Sequence, residues 1–179
     1  KNFFIISGND NGIIVKDQIG ETGKSLSMNL NSDSSLSVLQ ISQNKESIAC
    51  GFLNGSVYLL KTATPECFWK QTFSYGSIRA FAWNPLDSIL AFASQDDNFY
   101  AINLYNDYST TCFEGHNSSV NSISFDPFLK NGCQTIFSTA EDAMIGIWIS
   151  DISNNTISSV KSNLVGPFEN PIRYIQAMK

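Results

Sequence analysis

His116 is the only histidine in this 179-residue chain, and imidazole is the side chain whose ordinary proton affinity suits acid–base work near neutrality. With one of the many serines and an aspartate it would make a nucleophilic triad. With cysteines it would help to make a zinc site. No recognisable pattern completes either set. The Gly-x-Ser-x-Gly turn that presents an esterase nucleophile is absent. Cys50, Cys67, Cys112 and Cys133 are widely separated, with no Cys-x-x-Cys pair, so they read as buried, reduced thiols. The carboxylate pairs Asp96–Asp97 and Glu141–Asp142 have the residue types of a glycosidase site, but they fall in turns, where Asp is favoured for backbone reasons. Gly20–Ser25, GETGKS, resembles the end of a phosphate-binding loop. The glycine needed five residues before Gly23 is replaced by Gln18, no helical stripe follows, and the stretch reads as a solvated loop between structural units. No catalytic, metal-binding or cofactor-binding residue is assigned, and no cofactor is expected.

Composition narrows the partners. Hydrophobic residues make up 42% of the chain and aromatics 12%, which is a globular composition. The net charge is −5 and the isoelectric point about 4.7. Direct nucleic-acid binding needs clustered Lys and Arg, and the eleven basic residues here are scattered. Asn54–Ser56, Asn117–Ser119 and Asn154–Thr156 fit the glycosylation triplet, as chance supplies in a chain rich in Asn and Ser. No apolar run approaches the length of about 20 residues that crosses a bilayer, so membrane insertion is not expected. The expected location is intracellular, in the nucleus or cytoplasm.

The elements that would position these residues repeat. Phe3–Asp17, Ser47–Lys61, Ile89–Leu104 and Thr135–Ile149 each read as an apolar strand, a polar turn and a second apolar strand. With Asp10, Asn54, Asp97 and Asp142 as turn positions, the spacings are 44, 43 and 45 residues. The stretches between them supply an outer and an inner strand for the hairpin that follows. These are Leu26–Leu30 with Ser37–Ser42, Glu66–Phe73 with Ile78–Trp83, and Ser109–Phe113 with Val120–Phe125. Asn84–Asp87 and Asp126–Leu129 read as turns that end the inner strand, proline halting the pairing. The aromatics of Cys67–Phe73 read as packing, with any exposed member a partner anchor. A period of about 40–45 residues with four strands per unit is a propeller signature.

On these residues the chain resembles the WD-repeat β-propeller family. Gly115-His116 opens the fourth unit, Phe125-Asp-Pro127 closes its first strand, and Asp142 precedes Trp148 by six. Ile149 stands where the family has Asp, and Gly76-Ser77 stands where the third unit would have Gly-His. The resemblance implies an all-β fold of four-stranded antiparallel blades, with units at 1–17 (partial), 26–61, 66–104, 109–149 and 157–179 (partial). Ile172–Ala177 reads as the inner strand of that last unit. About four blades of an expected ring of about seven would make a partial ring.

The resemblance also implies that His116, a hydroxyl from Ser138 or Thr139, Asp142 and Trp148 form a structural relay rather than a reactive centre. It places partner binding at one rim, at Asn9, Leu53, Asp96 and Glu141, where the acids favour a basic segment. The implied function is a non-enzymatic protein–protein interaction scaffold, a subunit of a larger complex. The order of units is similar to that of nuclear WD-repeat replisome adaptors. Vesicle-coat and nuclear-pore subunits are the alternative, and a propeller glycosidase the remaining one.

Overall fold

The computed structural model is all-β, with fifteen strands and no helix among the described residues. It describes residues 3–7, 12–17, 25–30, 33–64, 66–73, 76–151 and 158–178, with 3–7, 12–17, 25–29 and 158–161 described through their backbone. No helix among them is long and apolar enough to cross a membrane. The chain divides into two compact units, Lys1–Ser77 and Ile78–Lys179.

The first unit holds two antiparallel sheets. β1 (Phe3–Ser7), β2 (Gly12–Asp17) and β3 (Ser25–Asn29) form a three-stranded one. β4 (Leu36–Ile41), β5 (Ser47–Phe52), β6 (Ser56–Lys61) and β7 (Cys67–Thr72) form a four-stranded meander. Strand alternation sends Ile48, Cys50 and Phe52 to one face, where they pack with Leu30 and Leu60. Asn54 makes the β5–β6 turn: its Oδ1 accepts the Ser56 N–H at 3.1 Å, while Gly55 takes a φ of 81°.

The second unit has the same design twice. β8 (Ala80–Trp83), β9 (Ile89–Ala93), β10 (Phe99–Asn103) and β11 (Thr110–Phe113) form the third sheet. β12 (Val120–Lys130), β13 (Cys133–Ala140), β14 (Ile145–Asp151) and β15 (Ser158–Val165) form the fourth. Facing residues of these two sheets make one core. Ala91, Ala93, Phe99 and Ala101 meet Val120, Ile123, Ile136 and Trp148. Small residues on β9 and β10 leave room for the indole.

Several expectations are corrected. The sequence pattern assigns Glu66–Phe73 and Ser109–Phe113 to the hairpin after them, but β7 pairs with β6 and β11 with β10. Each outer strand therefore completes the preceding sheet. Tight turns cause this: Lys61 N–H bonds to Glu66 O at 3.1 Å, and Asn103 N–H to Ser109 O at 2.9 Å. Likewise β3 pairs with β2. Residues 18–24, most of GETGKS among them, thus join two strands of one sheet and lie outside the described residues. A strand, not a helix, begins at Ser25.

Asn84–Asp87 is the expected turn, with Asn84 Oδ1 accepting the N–H groups of Ser88 and Ile89 at 2.8 and 2.9 Å. Asp126–Leu129 is not. β12 continues to Lys130, with residues 126–128 bulged between the pairs Phe125↔Ile136 and Leu129↔Gln134. Pro127 sits in the bulge, where no ladder donor is required. The real turn is Asn131-Gly132, with φ values of 54° and 76°, a two-residue hairpin link. Finally, Ile172–Ala177 is not a strand. It runs beside β12, but its N–H groups at Ile175 and Ala177 bond to Ser122 Oγ and Ser124 Oγ at 3.3 and 2.9 Å. Serine hydroxyls stand where a ladder would need main-chain partners.

Candidate functional site

Four side chains converge in the fourth sheet. His116 comes from the link before β12, Ser138 from β13, Asp142 from the β13–β14 turn and Trp148 from β14. Asp142 is placed by the turn itself: the register Thr139↔Ile145 centres on it, and its Oδ1 accepts the Met144 N–H at 3.0 Å. This is the bond that Asn54 makes to Ser56. Ala143 follows at a φ of 60°, where the equivalent turn has Gly55.

Around that turn a chain of hydrogen bonds closes. His116 Nδ1 lies 2.9 Å from Asp142 Oδ2 and 3.2 Å from Oδ1. His116 Nε2 lies 2.8 Å from Ser138 Oγ, and Trp148 Nε1–H donates to the same Oγ at 2.7 Å. Asp142 Oδ2 also accepts the Asn117 N–H at 2.9 Å. A carboxylate only accepts and an indole only donates. Nδ1 therefore carries the proton toward Asp142, and Nε2 accepts the Ser138 O–H. A neutral ring meets every demand. Burial pushes the Asp142 carboxyl upward, but the Asn117 N–H, the His116 ring and the Met144 N–H outweigh it and hold the group below its usual range.

The order Ser–His–Asp and these distances match a catalytic triad, but the nucleophile's surroundings do not. Ser138 is 0% exposed and His116 4%. Ser138 Oγ, the would-be attacking atom, already donates to His116 and accepts from Trp148. The indole is 1% exposed and packs edge-on against Phe99 and Phe113 at centroid distances of 5.2 and 6.1 Å. What this arrangement does is lock a turn, a link and the core between two sheets together.

Thr139, the alternative hydroxyl, is not part of the chain. Its neighbour Ser138 points to the relay, so alternation turns Thr139 to the opposite face, where its buried Oγ1 has no hydrogen-bond partner. Two glycines without a functional group complete the relay: Gly115, which the sequence marks together with His116, and Gly146, which it does not single out. A Cβ at Gly146 would collide with Ser138 Oγ and Trp148 Nε1. A Cβ at Gly115 would lie 3.0 Å from the indole Cη2 at a φ of 152°. Gly146 left a signal in sequence, since glycine inside the apolar strand run IGIWI marks a close approach.

The rim residues separate. Asn9 lies outside the described residues. Leu53 is 54% exposed, and Glu141 is exposed. Asp96 is not their equivalent. The register Ala93↔Phe99 centres the third hairpin on Asp96, as Gly51↔Val57 centres the second on Asn54. Asp96 thus holds the place of Asp142, and the exposed Gln95 that of Leu53 and Glu141. The turn residue is Asp96 rather than Asp97, and the spacings become 42 and 46. Both Asp96 oxygens are engaged, by the hydroxyls of Ser94 and Tyr100. Burial, and then the hydrogen bond to Asp96, push the Tyr100 phenol far above its ordinary value.

The cysteines are free, but only Cys50 is buried, while Cys67 and Cys112 are exposed at sheet edges. Burial raises the Cys50, Cys67 and Cys112 thiols, the direction opposite to an activated nucleophile. Along Cys67–Phe73, Phe68 and Trp69 are half-buried and Phe73 is buried, so no aromatic there stands out as an anchor. No group of three or more His, Cys, Asp or Glu side chains suited to a metal occurs among the described residues. No family model matches the sequence, and no curated protein is significantly similar to it.

Proposed function

We propose that this chain is a stretch of WD-repeat β-propeller acting as a non-enzymatic protein–protein interaction scaffold within a larger complex. The observation that carries this reading is the sealed relay. The residues best suited to chemistry, His116, Ser138 and Asp142, are engaged in holding one turn against an inter-sheet core. The consecutive antiparallel sheets, each completed by a strand beyond its hairpin, support the blade reading. Function then rests on exposed turns at the sheet ends.

In the second unit those turns carry Gln95, Asp97, Glu114 and Glu141, all exposed. The three carboxylates suit a basic protein segment, whose encounter they would steer. The order of repeat units favours a nuclear replication or chromatin adaptor. Affinity purification of the full-length protein with identification of its partners tests this. Recovery of replication factors is the expected result, and coat or pore subunits would replace the adaptor reading. Turnover of a glycoside by the purified protein would overturn the scaffold.

A further inference from the structure

The same dipeptide, Asn-Gly, occupies two hairpin turns with opposite surroundings. At Asn54-Gly55 the main chain is held fast. The Gly55 N–H bonds to Phe52 O at 3.1 Å, and Asn54 Oδ1 is occupied by the Ser56 N–H. Gly55 is buried, and a Cβ there would run into Phe73 O and Gly76 O. At Asn131-Gly132 both residues are exposed, and nothing lies within 4 Å of where a Gly132 side chain would begin. Beyond the bulge at 126–128, β12 reaches this tip through the pairs Leu129↔Gln134 and Lys130↔Cys133, while Cys133 and Gln134 on the other side also pair with Asp151 and Ser150 of β14. A short ladder at an exposed end opens at small cost.

Asparagine followed by glycine is chemically labile when the glycine nitrogen can reach the carboxamide carbon, and asparagine is among the thermolabile residues for this reason. Their approach depends on ψ and χ1 of Asn131, and the closed two-residue turn restricts the main chain around these atoms. Local opening of the tip lets them meet, and the absence of a Cβ on Gly132 leaves the approach clear. We propose that Asn131 is a site of spontaneous, water-dependent modification, converted through a cyclic imide with Gly132 to aspartyl and β-aspartyl linkages.

The Gly132 main-chain nitrogen attacks Asn131 Cγ and forms a new C–N bond. The bond from Cγ to the carboxamide nitrogen breaks, and ammonia leaves with the proton from the Gly132 N–H. One water then opens the imide at either carbonyl. The β-aspartyl product lengthens the main chain by one methylene. A two-residue link has no slack to absorb it. The pairing of Leu129 and Lys130 is lost with it, and the tip gains one negative charge.

The test is a time course of the intact chain in mildly alkaline buffer, digested and mapped by mass for the amide-to-acid gain. A third such dipeptide, Asn11-Gly12, has its asparagine outside the described residues, and its peptide is resolved by mass. Asn131 is expected to convert at least about tenfold faster than Asn54, the factor that about 1.4 kcal/mol in local opening produces. In urea the two rates should converge. Asn131→Gln, which would need a larger ring, should abolish the gain in its peptide. Equal native rates at the two sites, or a native Asn131 that stays unchanged while its unfolded form reacts, would overturn the proposal.

Discussion

The third and fourth sheets solve one problem in two ways. In both, an aspartate sits at the centre of the middle hairpin turn, Asp96 in one and Asp142 in the other. In the third sheet its partner comes from within: Tyr100 on β10 reaches back to Asp96 and stacks on Phe92 at 5.3 Å. In the fourth sheet the registers put Gly146 at Tyr100's place and Ser138 at Phe92's. The two aromatic rings are gone, and His116 enters the space from the preceding link. The link before β12 is therefore bonded to the Asp142 turn through His116, whereas Asp96 is met by the hydroxyls of Ser94 and Tyr100 from its own hairpin. The lesson is that a missing side chain at 146 is as much a part of the relay as the imidazole that replaces it.

Substitutions can break this comparison, and the largest effect is expected at Gly146. A methyl group there meets Ser138 Oγ and the indole nitrogen at once. Gly146→Ala should cost about 3 kcal/mol through overpacking and a broken network, read as a lower midpoint in urea denaturation. His116→Ala comes next. It strips partners from a buried hydroxyl and a largely buried carboxylate, costing about 2 kcal/mol, while partner capture by the folded protein stays intact. Loss of capture with unchanged stability would sink the structural role.

Smaller effects sharpen the contrast. Tyr100→Phe removes one hydroxyl from Asp96, which keeps Ser94, so about 1 kcal/mol is expected from thermal melting. The acid dependence tests the fourth sheet's aspartate. Asp142 is held below its ordinary range when folded, so the native state binds fewer protons than the unfolded one. Its contribution is fully present above the unfolded value of about 3.9 and is lost as pH falls through the folded value. Asp142→Asn should flatten the loss of stability with acid, and an unchanged slope would remove Asp142 from the account. Smallest is Ala143→Gly, which relieves a left-handed alanine in a turn whose counterpart already uses glycine. A gain of about 0.5 kcal/mol is expected, measured as a raised urea midpoint.

Much of the fold was legible because its signals are local. Alternating apolar residues around Asn, Asp and Gly mark hairpins wherever they fall, and all four anticipated hairpins exist as paired strands. His116, Asp142 and Trp148 were identified as relay members because their types and spacing resemble a known repeat. Asn131-Gly132 carries a two-residue turn signal, but Asp126–Leu129, with its proline, offers an earlier stop and the sequence reading follows it. Proline removes one donor. A bulge can absorb that loss, and only the pairing on the far side decides whether it does.

Sequence by itself determined the hairpins, their recurrence and the polar residues available to bond across them, since backbone preference and strand alternation act over a few residues. Tertiary structure decided which sheet each outer strand joins, which aspartate centres the third turn and which hydroxyl meets His116. Those choices turn on registers across strands and on space left by Gly146 and the alanines of the facing sheet. No local pattern measures the room between two packed surfaces. It was that room which made His116 a buried partner of the fourth sheet's turn rather than an exposed base.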